Sequence, residues 1–444
     1  MSSPSAVARA ADLWERSAVR LGTAARSLQA RGRRLPSWAL VGLAMAVGMG
    51  IIISRRPDVI SYPQLWAEDG RVFFLQAYQM GFWASLWHPY AGYLQLTPRL
   101  AIGLAMLLPL VRLPLVLNLI GLLIQAAPAA FIMSDRWDPL LPSRLTRAAL
   151  ALVYVALPNT GEIDVNITNA QWHLAVLACL VLLAPAVPGR GWRTFDFLVT
   201  ILAGLSGPFA ILLAPGAVVL ATARRSAHQV ALGLVVLLTA AVEGLTLLAN
   251  NLGRSGSALK LPFHLHTLLQ VLTERVLVMP LLGVSETNHL VGLSLLSNAP
   301  ADAGLLLVAA GLSLFALARG PLELKLFLLF GGLLLASSLV RLEGMLPLVI
   351  APSGAARYFF IPMLGWLAAL AYSLARWRRT AVGLALLGGL ALLLLFAAVS
   401  SWEYPGLPHS HFYRDAAIFS RARPGQRLLV PENPVGWSFT VVKR

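Results

Sequence analysis

Leucine-rich apolar runs recur along the chain from Ser37 almost to Ser400, broken by short stretches that carry arginine, proline and glycine. A helix needs about 20 apolar residues to cross a bilayer, fewer when it tilts or when flanking side chains snorkel. By that measure the pattern predicts eleven spans, near 37–54, 114–134, 147–160, 171–188, 195–207, 208–223, 229–249, 304–318, 325–341, 358–375 and 381–400. The run from Pro98 to Leu110 is also apolar, but it is short and has a proline near each end, so it reads as a re-entrant or interfacial helix. The expected fold is an all-α polytopic membrane protein.

Charge orients that pattern. With the N-terminus inside, the inner connections carry Arg136, Arg144, Arg147, Arg190, Arg193, Arg224, Arg225, Arg319, Lys325, Arg376, Arg378 and Arg379, while the short outer connections keep only Arg341 and Arg357. Residues 1–36 then form a basic cytoplasmic segment and 37–400 a transmembrane module with long outer loops at 55–113 and 250–303. Residues 401–444 form an outer tail. Twelve of the 19 acidic residues fall outside, a bias that orientation does not require because acids contribute little to it. Chemistry is therefore sought on the outer side, where loops are large enough to build a pocket.

Composition narrows the function. Charged residues make up only 12% of the chain and hydrophobic ones 58%, which excludes an ordinary soluble domain. The net charge of +16 sits at the ends of apolar runs and not on one continuous face, so it marks the lipid bilayer as partner and not nucleic acid. Cys179 is the single cysteine, so no intramolecular disulfide forms. No phosphate-binding glycine loop, Ser-His-Asp arrangement or cysteine metal cluster is present, which argues against a nucleotide-driven pump.

The first outer loop opens with YPQLWAEDGRVFF, where Glu68 and Asp69 stand side by side. Neighbours in a helix or a strand point in different directions, so only one of the two carboxylates can face a given atom. A helix N-cap or first-turn pair is the simple structural alternative. The aromatic residues that follow suit a helix at the headgroup level. The second loop, PNTGEIDVNITNAQWHL, brings Glu162 and Asp164 near the membrane surface; Asn166, Asn169 and His173 are spaced three and four apart, so they share one helical face. Polar groups entering a span together commonly line a cavity. Glu243 is an acid within the seventh span, functional or structural. Arg357, followed by Tyr358, stands at the outer end of the tenth span, placed to snorkel or to hold a lipid phosphate.

The order of these features resembles the GT-C class of glycosyltransferases, multi-spanning enzymes that take sugars from polyprenyl-phosphate carriers. The likeness covers most of the chain: basic N-terminus, one span, an outer loop with an acidic pair (Glu68, Asp69), a basic turn (Arg136 to Arg147) and a second outer loop with acids (Glu162, Asp164). The late Arg357-Tyr358 is similar to the pattern of the aminoarabinose and protein-mannosyl transferases of this class. The chain departs from the class in its smaller size and modest tail, and it lacks the sequon-recognition motif of oligosaccharyltransferases. The resemblance implies an inverting transferase in a bacterial inner membrane, active on the periplasmic side, moving a sugar from a polyprenyl-phosphate donor to a glycolipid or polysaccharide acceptor. It assigns the base to Asp69, with Glu68 supporting or in the reverse role, and implies cations near the leaving phosphate, with Arg357 first and Lys260 and Arg99 behind it. Glu162 or Asp164 would orient sugar or acceptor, joined by Asn166, Asn169, His173 and Tyr358. Some members of the class hold a divalent metal such as Mg or Mn between loop acids, a point the sequence leaves open. Two other readings compete: a lipid-linked sugar flippase or exporter, and a polysaccharide polymerase or ligase.

Overall fold

A computed structural model describes residues 36–186, 189–251, 265–342, 349, 351 and 354–444. Lys260 and most of the N-terminal segment lie outside the described residues. Among the described residues, eight helices are long and apolar enough to cross a membrane, consistent with an all-α membrane protein. Their outer faces keep large apolar side chains exposed, among them Leu238, Leu245, Leu307, Leu392 and Leu395, as a surface facing lipid requires.

The eight differ from the eleven read from the sequence in two ways. The spans near 147–160, 171–188, 195–207 and 208–223 correspond to short helices, Arg144–Val155, Ala170–Leu183, Arg190–Gly204 and Phe209–Arg224. Ala170–Leu183 is buried along its whole length because it is apolar all round and sits in the bundle centre, where neighbours wrap every face. Conversely, Leu265–Gly292 is a long apolar helical run inside the stretch 250–303, which the sequence suggests is loop.

Hydrogen bonds fix which helix ends lie together. Arg55, at the C-terminus of the first helix Ser37–Arg55, donates to the carbonyls of Val155 (2.9 Å) and Leu157 (2.9 Å) and reaches Trp402 beyond the last helix, Ala381–Ser400. Arg275 donates to the carbonyls of Val349 and Gly354, just before helix Arg357–Ala375, while a Cβ on Gly283 would meet the hydroxyls of Ser400 and Ser401. Both contacts fall at the same end of the bundle, so the middle of Leu265–Gly292 lies across the ends of two helices. At the other end, Asp196 joins Arg136 and His228, and Arg224 pairs with Glu323 (2.8 Å).

Over the first of these ends sits a second apolar core. It combines the first loop (Leu65, Phe73, Phe74), the short helix Leu96–Ala105 (Ile102), and the tail (Phe412, Phe419, Val430, Phe439, Val441). The tail folds as helix Phe412–Arg421 followed by an antiparallel hairpin, β1 (Arg427–Glu432) and β2 (Trp437–Val442). Glu243 of helix Ala227–Asn251 is fully buried and accepts the Leu94 backbone N–H (3.1 Å), so this acid fastens the first loop to the bundle.

Candidate active site

The acidic pair lies where chain and tail are stitched together. Asn433, at the turn of the hairpin, donates its N–H to the Leu65 carbonyl (3.2 Å), and its own carbonyl accepts the Ala67 N–H, which bridges it to Trp66. The helical turn Asp69–Phe74 starts here, and its exposed N–H groups need acceptors. Glu432 provides one, taking the N–H groups of Gly70 (3.1 Å) and Arg71 (3.2 Å). Only glycine fits at position 70, because a Cβ would come within 2.4 Å of both Glu432 Oε2 and Phe439.

This local arrangement separates Glu68 from Asp69. Asp69 is 1% exposed, with Oδ1 accepting from the Thr168 hydroxyl (2.6 Å) and Oδ2 from the Trp66 N–H (3.1 Å). Burial pushes its carboxyl up to about 7, against the pull of those bonds. Glu432 is pushed up to about 8, by burial first and then by the charge of Asp69. Glu68 turns the other way, onto the wall of a cavity of about 640 Å³, where the Tyr90 hydroxyl donates to its Oε1 (3.1 Å). Asp69 does not line that cavity.

The cavity opens at the end of the bundle that carries the tail. Its bundle wall is largely apolar, with Phe209, Leu212, Leu247 and Leu334, and it carries Arg341, Arg357 and Tyr358. Arg357 pairs with Glu162 through its guanidinium and donates its backbone N–H to Glu162 Oε2 (3.0 Å). Tyr93 sits between the acid and the cations: burial, then the neighbouring Tyr358, pushes its phenol up to about 12, Glu68 adds to that rise, and Arg357 and Arg341 oppose it. One tyrosine therefore feels Glu68, Arg341 and Arg357 together.

The other expected residues divide. Asn169 and Tyr358 line the cavity, and Asn169 also donates to the Glu162 carbonyl (2.9 Å), holding the loop. Asp164 does not line it; it is buried, accepts from Gln125 (2.6 Å) and Thr160 (3.0 Å), and its carboxyl is raised chiefly by burial. Asn166 folds back onto the carbonyls of Glu162 and Asp164. His173 is a core residue: Nδ1 meets the Tyr154 hydroxyl (2.7 Å) and Nε2 the Ile163 carbonyl. The shared face of Asn166, Asn169 and His173 does not form, because the helix begins only at Ala170 and the two asparagines precede it. Arg99 is buried, with one bond to Gln76 (2.8 Å) and its guanidinium over Phe73; Phe73 lines the cavity and Arg99 does not.

Four wall residues had no strong sequence signal: Tyr90, Tyr93, Arg341 and Trp437. The tyrosines flank Gly92 in a loop rich in aromatic residues, and Trp437 lies in a polar tail more than 360 residues from Glu68. The loop acids are not assembled for a divalent ion. Glu162 is engaged by Arg357 and Asp164 lies behind the wall, and among the described residues no group of three or more His, Cys, Asp or Glu could hold a metal. The chain matches no protein-family model and no curated protein sequence.

Proposed function

We propose that the protein is an inverting glycosyltransferase of the bacterial inner membrane that acts on the periplasmic side. On this reading the eleven-span arrangement holds, with the N-terminus inside, the tail outside and Leu265–Gly292 at the outer surface. The observation that carries it is the convergence of a tyrosine-held carboxylate, Glu68, and two arginines, Arg341 and the Glu162-paired Arg357, on a large cavity with an apolar bundle wall. An apolar wall beside cations suits a polyprenyl chain ending in a phosphate.

In the reaction the hydroxyl oxygen of a glycolipid or polysaccharide acceptor attacks the anomeric carbon of the donor sugar. Its proton passes to Glu68, the bond from the anomeric carbon to the phosphate oxygen breaks, and polyprenyl phosphate departs with the electron pair. Tyr90 holds Glu68 in place. The charge on the departing phosphate is met by Arg357 and Arg341 on the cavity wall. Glu68 replaces Asp69 as base in this mechanism because it alone of the pair reaches the cavity, and Asp69 acts as a positioning residue through Thr168 and Trp66.

The test is transfer by the purified full chain in nanodiscs, using polyprenyl-phosphate sugars as donors and surface glycans extracted from a deletion strain as acceptors. Product formed by the wild-type chain and lost in Glu68→Gln supports the reading. Movement of the labelled lipid across proteoliposomes without transfer overturns it in favour of a flippase.

A further inference from the structure

The hairpin of the tail reaches the same cavity as Glu68. Pro434 and Trp437 line it next to Trp66, Ala67 and Glu68, and the Asn433–Trp66 bridge fixes the hairpin turn to the residues just before the acid. Arg71 stands over the Trp437 ring, 4.5 Å from its centre, so one aromatic face is covered by a cation that the loop itself supplies. A tryptophan so held is a fixed, flat apolar surface beside a carboxylate. The remaining wall differs in kind: the arginines and the leucines come from the bundle helices, whereas Glu68 and two of the three indoles, Trp66 and Trp437, come from loop and tail, the third, Trp172, belonging to helix Ala170–Leu183.

From this division we infer that the hairpin forms an acceptor subsite in which the apolar face of a sugar ring stacks on Trp437, presenting its hydroxyl to Glu68. The inference rests on the transferase reading for its use but not for its ligand. A pyranose carries C–H groups on one face and hydroxyls at its rim, so an indole supplies area while a nearby carboxylate and tyrosine take the rim. The acceptor class is therefore a glycan end, and the tail is a working part of the site.

Binding can be read without catalysis. The full chain, labelled with 5-fluorotryptophan and placed in nanodiscs, is titrated with methyl α-D-glucopyranoside and methyl β-D-galactopyranoside, and the resonance of residue 437 is assigned by Trp437→Phe. The expected result is a saturable shift at 437, with those of Trp38 and Trp377 unmoved; these two are exposed at the other end of the bundle. A 437 resonance that stays still, or moves only as Trp38 and Trp377 move, overturns the proposal. In the transfer assay, Trp437→Ala should raise the acceptor KM about tenfold, the order expected for one aromatic contact, and leave the donor KM unchanged. An unchanged acceptor KM in that variant also overturns it. A glycoside shift at 437 in a wild-type chain that transfers nothing would retain the sugar subsite and reject the transferase reading.

Discussion

The two ends of the bundle treat charge in different ways. At the end away from the tail, Arg136 and Asp196 are both buried and paired, His228 Nε2 lies 2.8 Å from the same carboxylate, and Arg147 meets Asp138 (2.6 Å). Arg136 and Arg224 also donate to carbonyls left open by a helix terminus, those of Pro185 and Ala184. At the tail end, Glu68 has a tyrosine, neither Glu68 nor Arg341 has an ion pair among the described residues, and Asp69 and Glu432 are two acids buried near each other. The first end satisfies its charges internally; the second also holds internal pairs, Arg56–Asp58 and Arg357–Glu162, but brings Glu68, Arg341 and Arg357 onto the wall of a space. Charges of the first kind serve stability, and those of the second kind are available to a ligand.

Substitutions should separate the ends. The largest effect is expected at Glu68. Glu68→Gln should lower transfer by about 10²–10⁴-fold, the range for a lost general base, with yield and melting temperature unchanged. Asp69→Asn should reduce transfer less, because it keeps the side-chain shape that positions the loop; a loss equal to that of Glu68→Gln would return the base to Asp69. At the opposite end, Arg136→Ala leaves Asp196 without its buried partner and should cost about 3–5 kcal/mol of stability. Its readout is a lower melting temperature with normal turnover per folded molecule, and lost turnover in a stable variant would break the division of roles.

Smaller effects are expected where the tail meets the loop. Gly70→Ala drives a methyl into Glu432 and Phe439 and should cost about 1–3 kcal/mol, seen as faster proteolysis of the tail with the bundle intact. The same junction should respond to pH. Asp69 and Glu432 have folded values near 7 and 8, above their ordinary 3.8 and 4.5, so each binds its proton more tightly in the docked state. Their contribution is therefore complete below the ordinary values and is lost as pH rises through 7 and then 8. Protection factors in the hairpin, measured against the intrinsic exchange rate at each pH, should be higher at about pH 6 than at about pH 9, and Glu432→Gln should flatten that difference. A hairpin equally protected at both would show that the two acids do not control docking.

Much of the architecture is legible in the apolar runs, since a spanning helix must be apolar over its length whatever it packs against. The expectation weakens for Ala170–Leu183, where burial inside the bundle removes the need to match a bilayer's thickness. Within the expected outer segment 250–303 it does not announce the helical run Leu265–Gly292, whose mean composition suits a span although Glu274 and Arg275 lie within it. At the site, Glu68, Glu162, Asn169, Arg357 and Tyr358 are found from loop position alone. His173 is not, because three-and-four spacing groups side chains only after a helix has begun.

By itself the sequence determines that this chain is helical and apolar, because these follow from local composition and period. Which carboxylate of the pair faces a ligand is decided elsewhere. Neighbouring residues turn apart, but the direction each takes depends on Thr168 and Trp66 holding Asp69 and on Tyr90 holding Glu68. The tail's place is likewise a tertiary fact: Glu432 and Trp437 meet the first loop across more than 360 residues, through backbone N–H groups, a missing Cβ at Gly70 and one stacked guanidinium. Such contacts have no period, so no local pattern announces them.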